Sequence, residues 1–358
     1  AAPEPELSAR LQSTVGDYGR RELGVSVTGP LVEDTLLFRA AAFQHRSDGF
    51  IDNSFLNRSD TNAREETVLR GRLRWTPSTS QSIDITLAHI DMDNGYDAFS
   101  LDNTRRTLSD MPGKDRQQSD AAGLHYRHEG DRVLSEFMAS AATSDTDYSF
   151  DEDWSFVGIA PDLEYSSFDR YLRNRDSYSA QLRLSSIEPL PTAAGALHWT
   201  AGLYALRDDE SLRREYTFLS EDFRSRFKAE TLAAYGQIDL DLTQKWTLNA
   251  GLRLANRSMQ YADSNAISSN PDNNLWGGKI ALKYDTDELG MLYAAISRGY
   301  RAGGVNAGIL AFPTDAGGLS DTLASLRFFD EELLYNLEIG HKGQFLDGRL
   351  NSAVTLFY

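Results

Sequence analysis

"ETVLRGRLRW", Glu66 to Trp75, alternates without a break: Arg70, Arg72 and Arg74 fall on one face of an extended chain, Leu69, Leu73 and Trp75 on the other. A helix would spread these side chains around its axis, so the run reads as a strand with one wet and one greasy face. The same period returns in "SIDITLA", where Ile83, Ile85 and Leu87 oppose Asp84 and Thr86. In "SYSAQLRLSS" it sets Tyr178, Ala180 and Leu182 against Ser179, Gln181 and Arg183, and "KWTLNAGLRL" and "GRLNSAVTLFY" repeat it. About fifteen such strands follow one another, many near the ~9–11 residues that cross a bilayer when tilted.

The arginines decide between two all-β solutions. On the inner face of a soluble sandwich they would be buried charges, each costing several kcal/mol if unpaired, whereas a water-filled lumen accepts them. The connections agree. Short turns such as "TPST" (76–79), "EG" (129–130), "TQ" (243–244), "DTDE" (285–288) and "FLDG" (345–348) alternate with long polar stretches near 47–63, 91–115, 148–175, 211–226, 261–273 and 303–330. Short turns at one end and long loops at the other are the asymmetry of an outer-membrane barrel; a sandwich scatters its loop lengths. The expected fold is therefore all-β, an antiparallel transmembrane β-barrel, with a soluble all-β binding module as the alternative.

Composition removes other classes. The 358 residues are 41% hydrophobic and 25% charged, and no stretch approaches the ~18 apolar residues of a membrane helix. A mean hydropathy of -0.45 does not argue against a barrel, whose strands alternate and so average as polar. Without cysteine there is neither a disulfide nor a thiolate metal site. A net charge of -17 argues against a nucleic-acid partner. The opening "AAPEPELSAR" has no basic and apolar regions of a signal peptide.

Several stretches resemble the barrel of TonB-dependent outer-membrane receptors, in particular the proteobacterial iron-complex (siderophore) receptor group. They are "GDYGRRELG" (16–24), "HRSDGFIDN" (45–53), "LRGRLRWTP" (69–77), "DNGYDAFSLDN" (93–103), "YSFDEDWSF" (148–156), "YLRNRDSYSAQLRL" (171–184), "SRGYRAGGVN" (297–306) and "YNLEIGHKGQFLDGRLNSAVTLFY" (335–358), in the family's order. The resemblance implies an N-terminal plug domain inside a barrel of about 22 strands. With about fifteen strands, residues 1–358 are expected to be an incomplete barrel that starts just after the plug and lacks the C-terminal strands. It further implies the outer membrane of a Gram-negative bacterium, lipid around the wall, a TonB complex and the plug as partners, an iron-chelate small molecule as cargo, and no cofactor. A passive porin-like channel is the alternative within the membrane class.

Candidate site residues come from two places. The stretch 148–175 mixes Tyr148, Phe150, Trp154, Phe156, Tyr165, Phe168 and Tyr171 with Asp151, Glu152, Asp153, Asp162 and Glu164, and closes on Arg170, Arg173 and Arg175. Rigid amphipathic rings suit a planar or chelate ligand, and Tyr148, Phe150, Trp154, Phe156, Tyr165, Arg170, Tyr171 and Arg173 are the candidate ligand contacts of an extracellular loop. The alternative is a loop that packs its rings on itself. In the lumen, Arg70, Arg72, Arg74 and Arg183 are candidate plug contacts, or pair with Asp84, Asp239, Asp241 or Glu338 across the wall.

No catalytic or metal site is expected. The six histidines follow no H-E-x-x-H spacing and no G-x-S-x-G occurs. "IDMDNGYDAFSLDN" (90–103) has Tyr96 and Asp102 where a calcium loop needs Gly and Glu, and reads as a solvated turn. In "SRGYRAGGVNAG" (297–308), no G-x-G-x-x-G register is present. That stretch is expected at the rim, with Tyr300 in the interfacial aromatic girdle and Gly303 and Gly304 turning the chain.

Overall fold

The computed structural model of the protein describes residues 1–162, 165–286, 289–306, 309 and 326–358. Glu164, the Asp287–Glu288 part of the "DTDE" turn, Ala307, Gly308 and most of 303–330 lie outside the described residues. Among the described residues, fifteen strands of eight residues or more carry the fold. They are β1 (Ser8–Val15), β2 (Arg21–Val32), β3 (Leu36–Ser47), β4 (Arg64–Ser78), β5 (Gln81–Tyr96), β6 (Gly113–Glu129), β7 (Val133–Asp151), β8 (Phe168–Ser186), β9 (Gly195–Tyr216), β10 (Phe223–Asp241), β11 (Trp246–Asp263), β12 (Asp272–Thr286), β13 (Gly290–Arg301), β14 (Glu332–Phe345) and β15 (Leu350–Phe357). Each pairs antiparallel with the next, from Ser8↔Thr28 to Glu338↔Phe357, as one meander. Two short segments, Leu190–Thr192 and Ser268–Ser269, complete a 17-stranded sheet.

Register carries the two-residue period around the wall. Phe137, Leu182, Leu203, Ala234, Leu254 and Trp276 stand opposite one another on successive strands. The other face runs Glu136, Arg183, Gly202, Tyr235, Arg253 and Gly277. Leucines of the first face are open, Leu203 59% and Leu254 54% exposed, while Asp84 and Glu136 on the second are each only 6% exposed. A soluble domain buries the first kind and exposes the second, so this wall is built for lipid outside and water inside. On the wet face two glycines make room for tyrosines. A Cβ on Gly202 would sit 2.4 Å from the ring of Tyr235, and one on Gly340 would sit 2.3 Å from that of Tyr293.

Connections are on the whole shorter at one end of the sheet than at the other. At one end the strands are joined by 33–35, 79–80, 130–132, 187–194, 242–245, 287–289 and 346–349. At the other they are joined by 16–20, 48–63, 97–112, 152–167, 217–222, 264–271 and 302–331. The turn after β14 places Leu346, Asp347 and Gly348 at φ of 56°, 57° and 82°, left-handed geometry that reverses the chain within four residues. The asymmetry is as expected, but the strands reach further. Residues 91–96, 148–151, 168–175, 211–216 and 223–226 are strand, not loop. The segment 90–103 is likewise strand up to Tyr96, with Asp93 paired to Arg116.

Near the long-loop end Arg298 lies on the lipid side, over the Trp276 ring at 4.1 Å and beside that of Tyr335 at 5.7 Å. Its Nε donates to the Tyr335 hydroxyl at 3.1 Å. These two rings, not Tyr300, form the girdle here. Pairing of β13 with β12 ends at Gly278↔Arg298, and past that point Tyr300 turns to the wet face, where its hydroxyl accepts from Arg253 Nε at 3.2 Å. Gly303 then passes so close to the returning chain that a Cβ would lie 2.6 Å from the Phe329 carbonyl oxygen.

The two faces should respond oppositely to charge. Leu203→Arg is expected to destabilise the folded protein by about 2–4 kcal/mol. Gln237→Arg, on the wet face beside Asp239, should be near neutral. Refolding titrations into lipid vesicles would measure both.

Candidate functional site

The wet face of β5 to β9 rises past the membrane into a continuous arrangement of rings. A crossing takes ~9–11 residues, and Tyr171 lies near the far end of a 19-residue strand, so its surroundings stand in the aqueous region. Tyr148 and Tyr171 face each other across β7 and β8, ring centroids 6.4 Å apart. Tyr96 meets Tyr148 edge-on at 5.0 Å, Phe150 lies 5.7 Å beyond, and Phe99 stacks on Trp154 at 5.0 Å and 12°. Trp154 and Phe99 remain about one-third open, 37% and 36%.

Arg214 extends the ring cluster. Its guanidinium lies over Tyr171 at 5.3 Å and Tyr216 at 4.5 Å, and it donates twice to Asp169, each at 2.8 Å. Tyr216 leads to Phe218 and Tyr165, with centroids 5.4 and 6.3 Å apart. Asp169 also accepts from the Tyr171 hydroxyl at 2.9 Å. Burial, then the neighbouring carboxylate, push the Tyr171 phenol up to about 12, and burial raises Tyr148 too, so both stay neutral donors in neutral solution.

Three long connections are fastened together beside these rings. Asp52–Asn53 pairs in parallel with Arg106–Thr107. Asn53, 1% exposed, donates to Asp97 Oδ2 at 2.9 Å and to the Ser109 carbonyl at 2.8 Å, and Thr107 Oγ1 donates to the same Asp97 oxygen at 2.9 Å. Phe55 stacks on Phe156 at 4.4 Å, and the Asp110 amide donates to the Ser155 carbonyl at 3.0 Å.

The sequence-predicted residues separate into groups. Tyr148, Phe150, Trp154 and Tyr171 come together; Phe156 belongs to the Phe55 stack and Tyr165 to the Phe218 branch. Tyr148, Phe150, Arg170, Tyr171 and Arg173 stand on strands instead of in a loop, which corrects their expected setting. Arg170 points to the opposite face from Tyr171, holding Asp147 through two bonds of 2.8 Å and Glu215 at 3.2 Å; Arg173 bonds Glu210 at 3.0 Å. Lower in the lumen, Arg74 forks onto Asp84 at 2.9 and 3.0 Å with Arg72 at 3.3 Å, and Arg183 holds Glu136 at 2.9 Å. Asp239 and Glu338 bind Asn249 and Tyr293 instead of these arginines. Arg70 has no ion pair among the described residues. Arg214, Asp169, Tyr96 and Phe99 were missed; the alternation Arg214, Tyr216 in line with Tyr171 was the available signal.

A family model described as TonB dependent receptor-like, beta-barrel, matches residues 67–358. The chain belongs to this family. TonB-dependent receptor barrels are transport proteins of the Gram-negative outer membrane, not enzymes. The ferric yersiniabactin uptake receptor of Yersinia pestis is similar in fold, with a TM-score of 0.75 at 17% identity over 99% of this chain and 54% of that one. The siderophore receptor PiuA of Acinetobacter baumannii gives 0.75 at 13% over 100% and 57%. The ferric-catecholate import receptor Fiu of Escherichia coli gives 0.73 at 16% over 99% and 58%. The TonB-dependent receptor barrel described here thus spans a little over half the length of these structures.

Asp169 is the keystone of the ring cluster, 2% exposed and shared by Arg214 and Tyr171. Asp169→Ala removes the bidentate partner of a mostly buried guanidinium, a loss of about 3 kcal/mol or more in such pairs. Hydrogen exchange should quicken at Phe168–Arg173 and Leu212–Tyr216 and stay unchanged in the lipid-facing belt.

Proposed function

We propose that this chain is the wall of an outer-membrane receptor that takes up a ferric siderophore, with energy delivered through a plug by an inner-membrane TonB complex. The observation that carries this reading is the set of half-open rings at the long-loop end, joined through Arg214 and anchored on strands. Rings held by packing offer flat contact area without further ordering cost, which suits a chelate with an aromatic or planar face. The cations around them already hold carboxylates: Arg214 with Asp169, Arg173 with Glu210, Arg170 with Asp147. Together with the net charge of -17, this favours a chelate of small net charge over a polyanion.

Arg72, Arg74 and Arg183 serve the wall, since their acids are already in place, and Arg70 is the lumen arginine assigned to the plug. Family likeness and the siderophore receptors among similar folds support the cargo class.

Titration of the full-length protein with ferric chelates tests the reading. Trp154→Ala and Tyr171→Ala are each expected to weaken binding about tenfold, ~1.4 kcal/mol, and a cargo whose affinity ignores both variants would sink the assignment of this site. Arg70→Ala should leave chelate affinity unchanged and admit large antibiotics through a loosened plug. Expression that follows a carbon source and ignores iron starvation would defeat the siderophore reading.

A further inference from the structure

The lipid-facing side of the wall carries a groove that the receptor reading does not use. One row of the register forms its floor: Ala201 on β9, Gly236 on β10, Leu252 on β11 and Gly278 on β12 stand opposite one another in turn, and the row ends on Arg298 of β13 and Tyr335 of β14. Ile280 and Ile296 form the side towards the short turns, Trp276 the side towards the long connections, and about 750 Å³ lies between them. Five steps of ~4.8 Å from strand to strand make the groove about 24 Å long. It is also inclined. Charge first appears on the outer face of β9 at Arg207, six residues or about 20 Å along the strand from Ala201, whereas on β13 it appears at Arg298 itself. The Ala201 end therefore lies deep in the hydrocarbon and the Arg298 end at its edge, as the tilt of barrel strands requires.

Arg298 is a cation without an anion. Its Nε donates to the Tyr335 hydroxyl at 3.1 Å and its Nη1 to the Trp276 carbonyl, both uncharged acceptors. No carboxylate lies within ion-pair reach among the described residues, and the nearby Glu332 is held by Arg301 at 3.6 Å. A guanidinium does not lose its proton in a protein, and an unbalanced charge at the margin of hydrocarbon is costly. We infer that the groove holds one molecule of a phosphorylated glycolipid of the outer leaflet, its phosphate on Arg298 and an acyl chain laid along Gly278, Leu252, Gly236 and Ala201. Polarity matches at both ends. Phosphate oxygens accept from the donors that Arg298 still has free, and the chain descends from there along apolar surface, as a lipid of that leaflet must. Further towards the long connections on the same outer face, Asn256 donates to Asn274 at 3.1 Å. These are uncharged groups that both give and accept hydrogen bonds, suited to sugar hydroxyls, which favours a glycolipid over a phospholipid. The site rests on the wall standing in the outer membrane and not on the cargo, so it holds whether or not a ferric siderophore is what passes.

Native mass spectrometry of the full-length protein, delipidated in detergent micelles and titrated with diphosphorylated lipid A, provides the test. One tightly retained copy is expected, with lipid A stripped of its phosphates and phosphatidylglycerol each held at least tenfold more weakly. Arg298→Gln should weaken retention at least tenfold, and Arg298→Lys by less, since the charge stays. Gly236→Leu fills the floor, where a Cβ meets nothing nearer than the Thr200 carbonyl oxygen at 3.6 Å, and should weaken retention several fold. All three variants are expected to keep the heat-modifiable gel mobility of a folded barrel. Retention that ignores Arg298→Gln or Gly236→Leu, or that is equal for the dephosphorylated lipid, overturns the site. Phosphatidylglycerol held as tightly as lipid A overturns the glycolipid assignment. A protein that retains lipid A in this pattern but binds no ferric chelate would defeat the cargo reading and support this one.

Discussion

In the hydrocarbon of a bilayer a backbone amide has no water to bind, and every strand here answers that deficit by bonding to its neighbours in sequence. Nearest-neighbour antiparallel pairing is the cheapest way to do so with short turns, and it forces side chains to alternate strictly between lipid and water. From that follow the exposed leucines, the buried Asp84 and Glu136, and the tyrosines laid over glycines on the wet face. Packing in the usual sense plays a small part. The only buried apolar groups of any extent are small clusters such as Ala233, Ala255 and Leu275 among the described residues.

The sequence was legible wherever its two faces met different solvents. Leu69, Leu73 and Trp75 against Arg70, Arg72 and Arg74 read as a strand at the boundary of lipid and water. Once a strand rises clear of the membrane, both faces are wet and the alternation fades. That is why Tyr148, Phe150, Arg170, Tyr171 and Arg173 read as loop although their strands continue to Asp151 and begin at Phe168. Tyr300 failed for a related reason: alternation requires a ladder on both sides, and one of its ladders stops at Arg298. Contacts between distant connections, such as Asn53 with Asp97 or Phe99 with Trp154, left no periodic trace at all.

The candidate site is a by-product of that overshoot. Strands that outrun the bilayer give the rings a rigid base, and the connections above are sewn together by side-chain hydrogen bonds and a short parallel pairing instead of by a core. A site of this kind is held in shape before cargo arrives, so binding loses little to ordering. Arg170, Arg173 and Arg214 at the mouth each hold a carboxylate and belong to that stitching.

Arg298 gives the wall a vertical reference. Clasped by Trp276 and Tyr335, its guanidinium belongs at the level where headgroups begin. Sinking the protein by one residue pair would drag that charge into acyl chains, and lifting it would strip the rings of their interface. A single clasped cation therefore works as a waterline, fixing how high the long-loop end stands above the membrane and how far anything approaching from outside must travel to reach it.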